Sequence, residues 1–360
     1  MKSLSRRQFT QQSSKAIFGL ASANPFMESF FKRNKIKIGQ IGTAHSHAAD
    51  KMETLRKLNN IFEVIGIVET DEVFKHTAQS KASYQNLKWL TEEQLLNTAG
   101  LRAVLIETEL DDLVPTALRC IEQGLHVHVD KPPGKSLAAL QQLFEKATDT
   151  GLSIQMGYMF RYNPAFQFCL KAVREGWLGQ IFEINGVIGK AINLKRRTHL
   201  AKTYGSGMML LGCHLIDIAI ALCGMPEKVT SHRRQTFPEQ DELFDNEVAI
   251  FEYPRTIATI KSSLIEVDGE ERRQFVVCGE KGTIEIKPLE PPQLRMTLSE
   301  PVGDFPKGWQ AVGLPAMTGR YDEQLIDFVR MIRGEKPNEF SIEHELVLQQ
   351  TLLNVCDLFE

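Results

Sequence analysis

The chain has 360 residues, 42% of them hydrophobic and 24% charged, and a formal net charge of −3 at pH 7. That is an ordinary globular composition, and at roughly 100–200 residues per domain the length suggests two domains. The charge leaves no footprint for nucleic acid or an anionic membrane, and no stretch of about 18 apolar residues offers a membrane span.

The first residues stand apart. Ser5-Arg6-Arg7-Gln8-Phe9 fits most of a twin-arginine export signal, a short apolar run from Ala16 to Ala23 follows, and Ala21-Ser22-Ala23 is a small-x-small cleavage candidate. Thr10 stands where such signals usually carry Leu, so a basic leader with chance arginines is the competing reading. Residues 1–33 are set aside as a leader. Export by the twin-arginine route to the periplasm is expected if the signal is real, and a cytoplasmic location otherwise.

From residue 35 strand and helix patterns alternate. Residues 35–41 form a strand running into Gly42, and 46–58 a helix. Phe62 to Val68 is a second strand ending on Glu69, and 102–106 a third; 112–123 is helical with Gly124 as its stop. This is the pattern of βαβ units and a parallel sheet. His126-Val127-His128-Val129-Asp130-Lys131-Pro132-Pro133-Gly134 is then a buried strand halted by prolines, which lack a donor and fix φ. Lys131 therefore sits at a strand's carboxyl end, where open α/β sheets bind ligands. There it can donate to a substrate hydroxyl or take part in proton transfer; a solvated turn lysine is the bland alternative. Past about residue 160, the segments 180–189, 246–253, 256–265, 273–279 and 282–287 are strand-like and closely spaced, which suggests an antiparallel sheet. Residues 320–333 and 342–358 look helical. The expected fold is α/β: a Rossmann parallel sheet over 34–153, then an α+β domain over 154–360 with a largely antiparallel open sheet and a final helix packed back on the body. The scattered cysteines include no C-x-x-C pair, which argues against zinc and against disulfides. Cys120, Cys213 and Cys223 read as buried thiols.

Strand, Gly42, helix and a terminal acid outline a dinucleotide site. Gly42 permits the tight turn, helix amides face a pyrophosphate, and Glu69 accepts from the adenosine ribose while repelling a 2′-phosphate, so NAD is favoured over NADP. The fingerprint is degraded: Gly42-Thr43-Ala44-His45-Ser46-His47 keeps a small residue at Ala44 but replaces the third glycine by His47. His45 and His47 can be phosphate donors, catalytic groups or metal ligands, or can simply cap and fill the helix start. No carboxylate triad near them in sequence supports a metal, and none is expected. Glu107, Glu109, Asp111 and Asp112 crowd a neighbouring strand end. Farther on, Arg161 and Asn163 are candidates for binding a polyol or a nicotinamide amide, or for stabilising a loop. Gly205 to Asp217 is a glycine-rich lead into an apolar helix whose His214 and Asp217 share a face. Two polar groups there need partners or a cavity, which makes His214 a general-base candidate and Asp217 a substrate-binding one.

Together these landmarks resemble the glucose–fructose oxidoreductase / inositol dehydrogenase (Gfo/Idh/MocA) family from about residue 34 onward. The residues that carry the likeness are Gly42 with Glu69, Glu122 to Pro132, Gly157 to Pro164, Gly205 to Asp217, and the hairpin Phe275 to Ile286. The resemblance implies Lys131 and Asp130 beside the nicotinamide, Lys131 also near the substrate hydroxyl, and His214 as proton acceptor. It implies oxidation of a ring hydroxyl of a sugar or polyol, and a homodimer or homotetramer. Asp130 replaces the family's usual Glu, and Leu210 stands where dehydrogenase members often carry an aspartate four residues before the histidine. An NAD-dependent oxidoreductase leads. A glycosidase working by transient oxidation and elimination, and a non-catalytic sugar-binding member, are the alternatives.

Overall fold

Residues 35–358 are described by a computed structural model; the leader and its export motif lie outside them. The first half alternates as expected: β1 (Ile36–Ile41), α1 (Ala48–Lys57), β2 (Phe62–Val68), α2 (Glu72–Gln79), α3 (Glu92–Leu96), β3 (Leu101–Ile106), α4 (Leu113–Glu122), β4 (His126–Val129), α5 (Leu137–Thr150) and β5 (Ile154–Met156). The strands are short runs rich in Val, Ile and Leu, almost wholly buried, as a sheet covered on both faces requires. They pair in parallel in the order β2-β1-β3-β4-β5. The order reverses between β1 and β3, so the crevice at their carboxyl ends is the switch point where such sheets hold ligands.

The second half contributes α6 (Pro164–Arg174), β6 (Ile181–Gly189), α7 (Leu194–Thr203), a π-helical turn (Met208–Gly212), α8 (Cys213–Cys223), β7 (Lys228–Arg234), β8 (Asn246–Glu252), β9 (Ile257–Ser263), β10 (Gln274–Gly279), β11 (Gly282–Leu289), β12 (Pro292–Leu298), β13 (Gly308–Val312), α9 (Asp322–Ile332) and α10 (Ile342–Val355). The sheet order is β13-β12-β11-β10-β6-β9-β8-β7. Neighbours run antiparallel except β6 and β9, which are parallel.

Two differences from the sequence reading have clear causes. The edge strands β7 and β13 carry no apolar alternation, because each pairs on one side only and much of each stays wet. The basic stretch after Lys190 forms a helix, α7, that the sequence pattern does not announce: Asn193 caps it by accepting from the Arg196 amide, and Arg197 and Leu200 are buried beneath. Leu325, Phe328, Val329 and Ile332 of α9 join the core around β1, β2 and α1, while α10 packs against α5 and α8. One continuous apolar core otherwise runs through both sheets. Among the described residues no helix is long and apolar enough to cross a membrane, and the cysteines are free.

Candidate active site

The turn after β1 is shaped by close approach. Gly42 adopts φ +86°, and a Cβ there would fall 2.5 Å from the Thr108 backbone nitrogen, so the first position of the fingerprint admits only glycine. Glu69 stands at the end of β2 as expected. Its Oε2 accepts from both the Thr43 amide and hydroxyl, 2.7 Å each, and Oε1 from the Asp71 amide. A carboxylate has about four lone-pair sites, so one remains for a ribose hydroxyl. The His45 amide donates to Glu107 O and the His47 amide to the His45 ring. The amides of Ala44 and Ser46 are left with no protein acceptor among the described residues. Two orphaned amides at the switch point, beside the helix start, fit a pyrophosphate.

Beneath that turn lies a sealed group of charges. Lys51, one turn into α1, has no exposed surface; its Nζ donates to Glu107 Oε1 at 2.9 Å and Asp130 Oδ2 at 2.7 Å. Burial opposes its charge, but the two carboxylates outweigh burial and raise its pKa. Burial and Asp130 push Glu107 well above the carboxylate range. Asp130 is held well below that range, because His45, Lys51 and His47 overcome the cost of its own burial. The acids clustered after β3 therefore do not present a bare negative wall to an anionic cofactor, since the innermost is already matched by Lys51. His45 is also buried here, with Nδ1 2.7 Å from Asp130 Oδ2 and Nε2 3.2 Å from Lys131 O. It shapes the turn from below rather than pointing at a phosphate. Asp130 likewise braces the cluster, accepting from the Lys131 amide at 2.7 Å. His45, His47 and Asp130 offer ligand atoms within 4.8 Å of one another. The Asp130 oxygen a cation would need already accepts from the Lys51 ammonium.

Above the cluster opens a cavity of about 210 Å³, lined among others by His47, Lys131, Phe160, Leu210 and His214. Lys131 is 2% exposed, and its Nζ donates to Leu210 O at 2.9 Å. An ammonium has three donors, so two remain for the cavity. The carbonyl it uses belongs to the π-helical turn, where the Cys213 amide reaches back to Met208 O; such wide turns gather at functional sites. His214 begins α8 just after this turn. Its ring lies 5.0 Å from that of Phe160 and 6.3 Å from that of His47, and its Nδ1 is buried with no hydrogen-bond partner. Burial, then Lys131, hold its pKa well below 6.5. The imidazole is thus neutral at pH 7, with the lone pair a base needs. His47, at the third position of the broken fingerprint, closes the far side: Nδ1 sits 3.3 Å from Asp130 Oδ2 but out of hydrogen-bonding alignment.

Arg161, Asn163 and Asp217 are not brought to this cavity. Arg161 forks onto Asp217 (2.9 and 2.8 Å) and Glu345 (2.5 and 2.9 Å), and His344 adds a contact to Asp217 at 2.7 Å. The guanidinium also lies 3.9 Å from the Phe340 ring centroid. Asn163 caps α6 by accepting from the Ala165 amide and donates to Leu289 O. These side chains tie α6, α8 and α10 together, so the substrate-binding expectation gives way to a structural one. Other residues line the cavity instead: Asp50, Lys190, Arg273, Glu290 and Arg320, with Arg196 from α7.

Comparison with known proteins decides the family. Residues 36–158 match the model of the oxidoreductase family with an NAD-binding Rossmann fold, and 166–285 match the GFO/IDH/MocA C-terminal domain. The chain belongs to the Gfo/Idh/MocA oxidoreductase family. It is 27% identical over 195 residues to the uncharacterized oxidoreductase YhhX of Escherichia coli, covering 53% of this chain and 54% of that one. It is 26% identical over 212 residues to the scyllo-inositol 2-dehydrogenase (NAD(+)) of Bacillus subtilis, covering 56% and 60%. The chain thus spans somewhat over half the length of these curated relatives. In structure it resembles the aldose-aldose oxidoreductase of Caulobacter crescentus, solved with glycerol, at a TM-score of 0.76 and 17% identity over 90% of this chain and 97% of that one; at that identity the likeness shows the fold.

Proposed function

We propose that this family member is an NAD-dependent oxidoreductase that oxidises a ring hydroxyl of a sugar, polyol or sugar derivative. The observation that carries the reading is the pairing of Lys131 with a neutral, unpartnered His214 across one small cavity at the carboxyl end of the parallel sheet. The bound nicotinamide would supply the hydride acceptor. Gly42, the amides of Ala44 and Ser46, and Glu69 would hold the dinucleotide. The acid at Glu69, already tied to Thr43, would repel a 2′-phosphate, which favours NAD over NADP. The cofactor in the name of the Bacillus relative points the same way.

In this reading the substrate hydroxyl lies between Lys131 and His214. As the C–H hydride departs and the C=O bond forms, His214 takes the hydroxyl proton. The spare Lys131 donors stabilise the negative charge growing on that oxygen, while the Leu210 carbonyl fixes the ammonium. Leu210 holds the position, four residues before His214, at which the family resemblance leads one to expect an aspartate, so Lys131 would carry the polarising task without that carboxylate. Export through the twin-arginine route and assembly as a homodimer or homotetramer belong to the same proposal, and the route suits a protein that folds around its cofactor before leaving the cytoplasm.

The test is to denature the purified protein, identify any released nucleotide by mass and absorbance, and then follow NADH formation at 340 nm with a panel of polyols. Released NAD(H), or a thermal shift with NAD larger than with NADP, is the expected result. An empty protein insensitive to both dinucleotides overturns the proposal.

A further inference from the structure

The charge of the cavity is lopsided. Lys131, Lys190, Arg196, Arg273 and Arg320 line it, against the carboxylates of Asp50 and Glu290. Glu290 and Arg320 are spent on each other, both carboxylate oxygens gripped at 2.7 Å, and Arg273 lies 3.3 Å from Glu270 and 3.9 Å from Glu290. Asp50 is exposed on α1. Lys190 and Arg196 have no carboxylate within salt-bridge distance among the described residues, and Lys131 has only the Leu210 carbonyl. All of these cations but Lys131 come from the chain beyond residue 158. Lys131 is buried and Lys190 and Arg273 are half-buried, while Arg196 and Arg320 are exposed; like charges gathered this way repel one another. Lys190 shows it, its pKa lowered to about 8 by burial and then by Arg196, Arg273 and Lys131. A fold holds such an arrangement at a cost unless an anion relieves it.

We infer that the substrate of this site carries a negative charge, as a sugar or polyol bearing a carboxylate or phosphate, with Lys190 and Arg196 as the residues that select it. This rests on the oxidoreductase reading for what happens to the substrate, but not for what binds. The cavity, at about 210 Å³, is below the 300–1,000 Å³ typical of ligand pockets, which suits a single small ring or an open chain.

The experiment is calorimetric titration of the full protein with NADH present, using matched pairs: glucose against glucuronate, sorbitol against gluconate, and glucose against glucose 6-phosphate. The charged member of at least one pair is expected to bind at least about tenfold more tightly, the scale of one charge-assisted hydrogen bond. That advantage should shrink as salt is raised. Preference within the first two pairs assigns a carboxylate, and within the third a phosphate. Arg196→Gln, an exposed change that spares folding, and Lys190→Met should each remove most of that preference while leaving NADH affinity unchanged. Equal binding within every pair, including no binding by any member, overturns the inference. So does a loss of NADH affinity in the two variants, which would give the cations to the cofactor's phosphates. Anion binding without any turnover would sink the oxidoreductase reading and leave this one standing.

Discussion

Of two buried charge clusters that the described residues hold, only one looks out on a cavity. The first joins Arg161, Asp217, Glu345 and His344; the guanidinium forks onto both carboxylates and aromatic rings cover it. The second joins Lys51, Glu107, Asp130, His45 and His47 and continues through Lys131 to His214. There Glu107 Oε2, His47 Nδ1 and His214 Nδ1 are left without hydrogen bonds. Buried charge alone therefore does not mark a reactive site. What marks it is a buried polar atom left without a protein partner on the wall of a space that a ligand can enter.

The comparison breaks most sharply at Lys131. Lys131→Met should lower kcat by about 10²- to 10⁴-fold while the folded state survives, because methionine fills the volume and only the Leu210 carbonyl loses its donor; steady-state kinetics beside thermal unfolding checks it. In the closed cluster the loss should appear as stability instead. Arg161→Met strands two buried carboxylates and should cost about 3–5 kcal/mol, read by denaturant unfolding. Whatever enzyme remains folded should keep kcat/KM within a few-fold of wild type. A kcat collapse in folded Arg161→Met would return Arg161 to the active site. The smallest effect concerns His128, on β4 beneath the open cluster, which shares a hydrogen bond with Gln155 at 2.9 Å. Burial, then Lys51, push its pKa down to about 3. Below about pH 6.5 the unfolded chain binds a proton there that the folded chain refuses. Its contribution to stability is complete above that pH and is lost as pH falls toward 3. His128→Gln should therefore flatten the acid slope of unfolding free energy by up to about 1.4 kcal/mol per pH unit. Equal slopes for the two proteins between pH 6.5 and 5 would remove the assignment.

Much of the fold could be read from local pattern. The Val- and Ile-rich runs of β1 to β4, each halted by glycine, an acid or proline, announce a parallel sheet without help from the rest of the chain. Lys131 and His214 were legible for a related reason. One stands at a forced strand end, and the other is a polar side chain in a helix apolar nearly all round. Arg161 and Asp217 carried the same signal of polarity in apolar surroundings, and sequence alone cannot tell a charge that has found a distant partner from one that has not; Glu345 lies 184 residues from Arg161. Lys51 was invisible for the opposite reason. It occupies an ordinary position in a mixed helix, and only the convergence of β3 and β4 beneath it turns a surface-type lysine into a buried counter-ion. Arg273, Glu290 and Arg320 come from separate loops that only the eight-stranded sheet gathers.

The π-helical turn at Met208–Gly212 changes how distances along this helix should be counted. A turn closed from residue i to i−5 holds one residue more than an α-turn, so the surface after it is out of phase with the surface before it by about 100°. Deleting one residue within it would not merely shorten a connection. It would act as a rotation of everything downstream, turning the imidazole at 214 off the cavity and into the packing between α8 and the sheet. The extra residue is an indexing element, and the orientation of the proposed base depends on it as much as on the histidine itself.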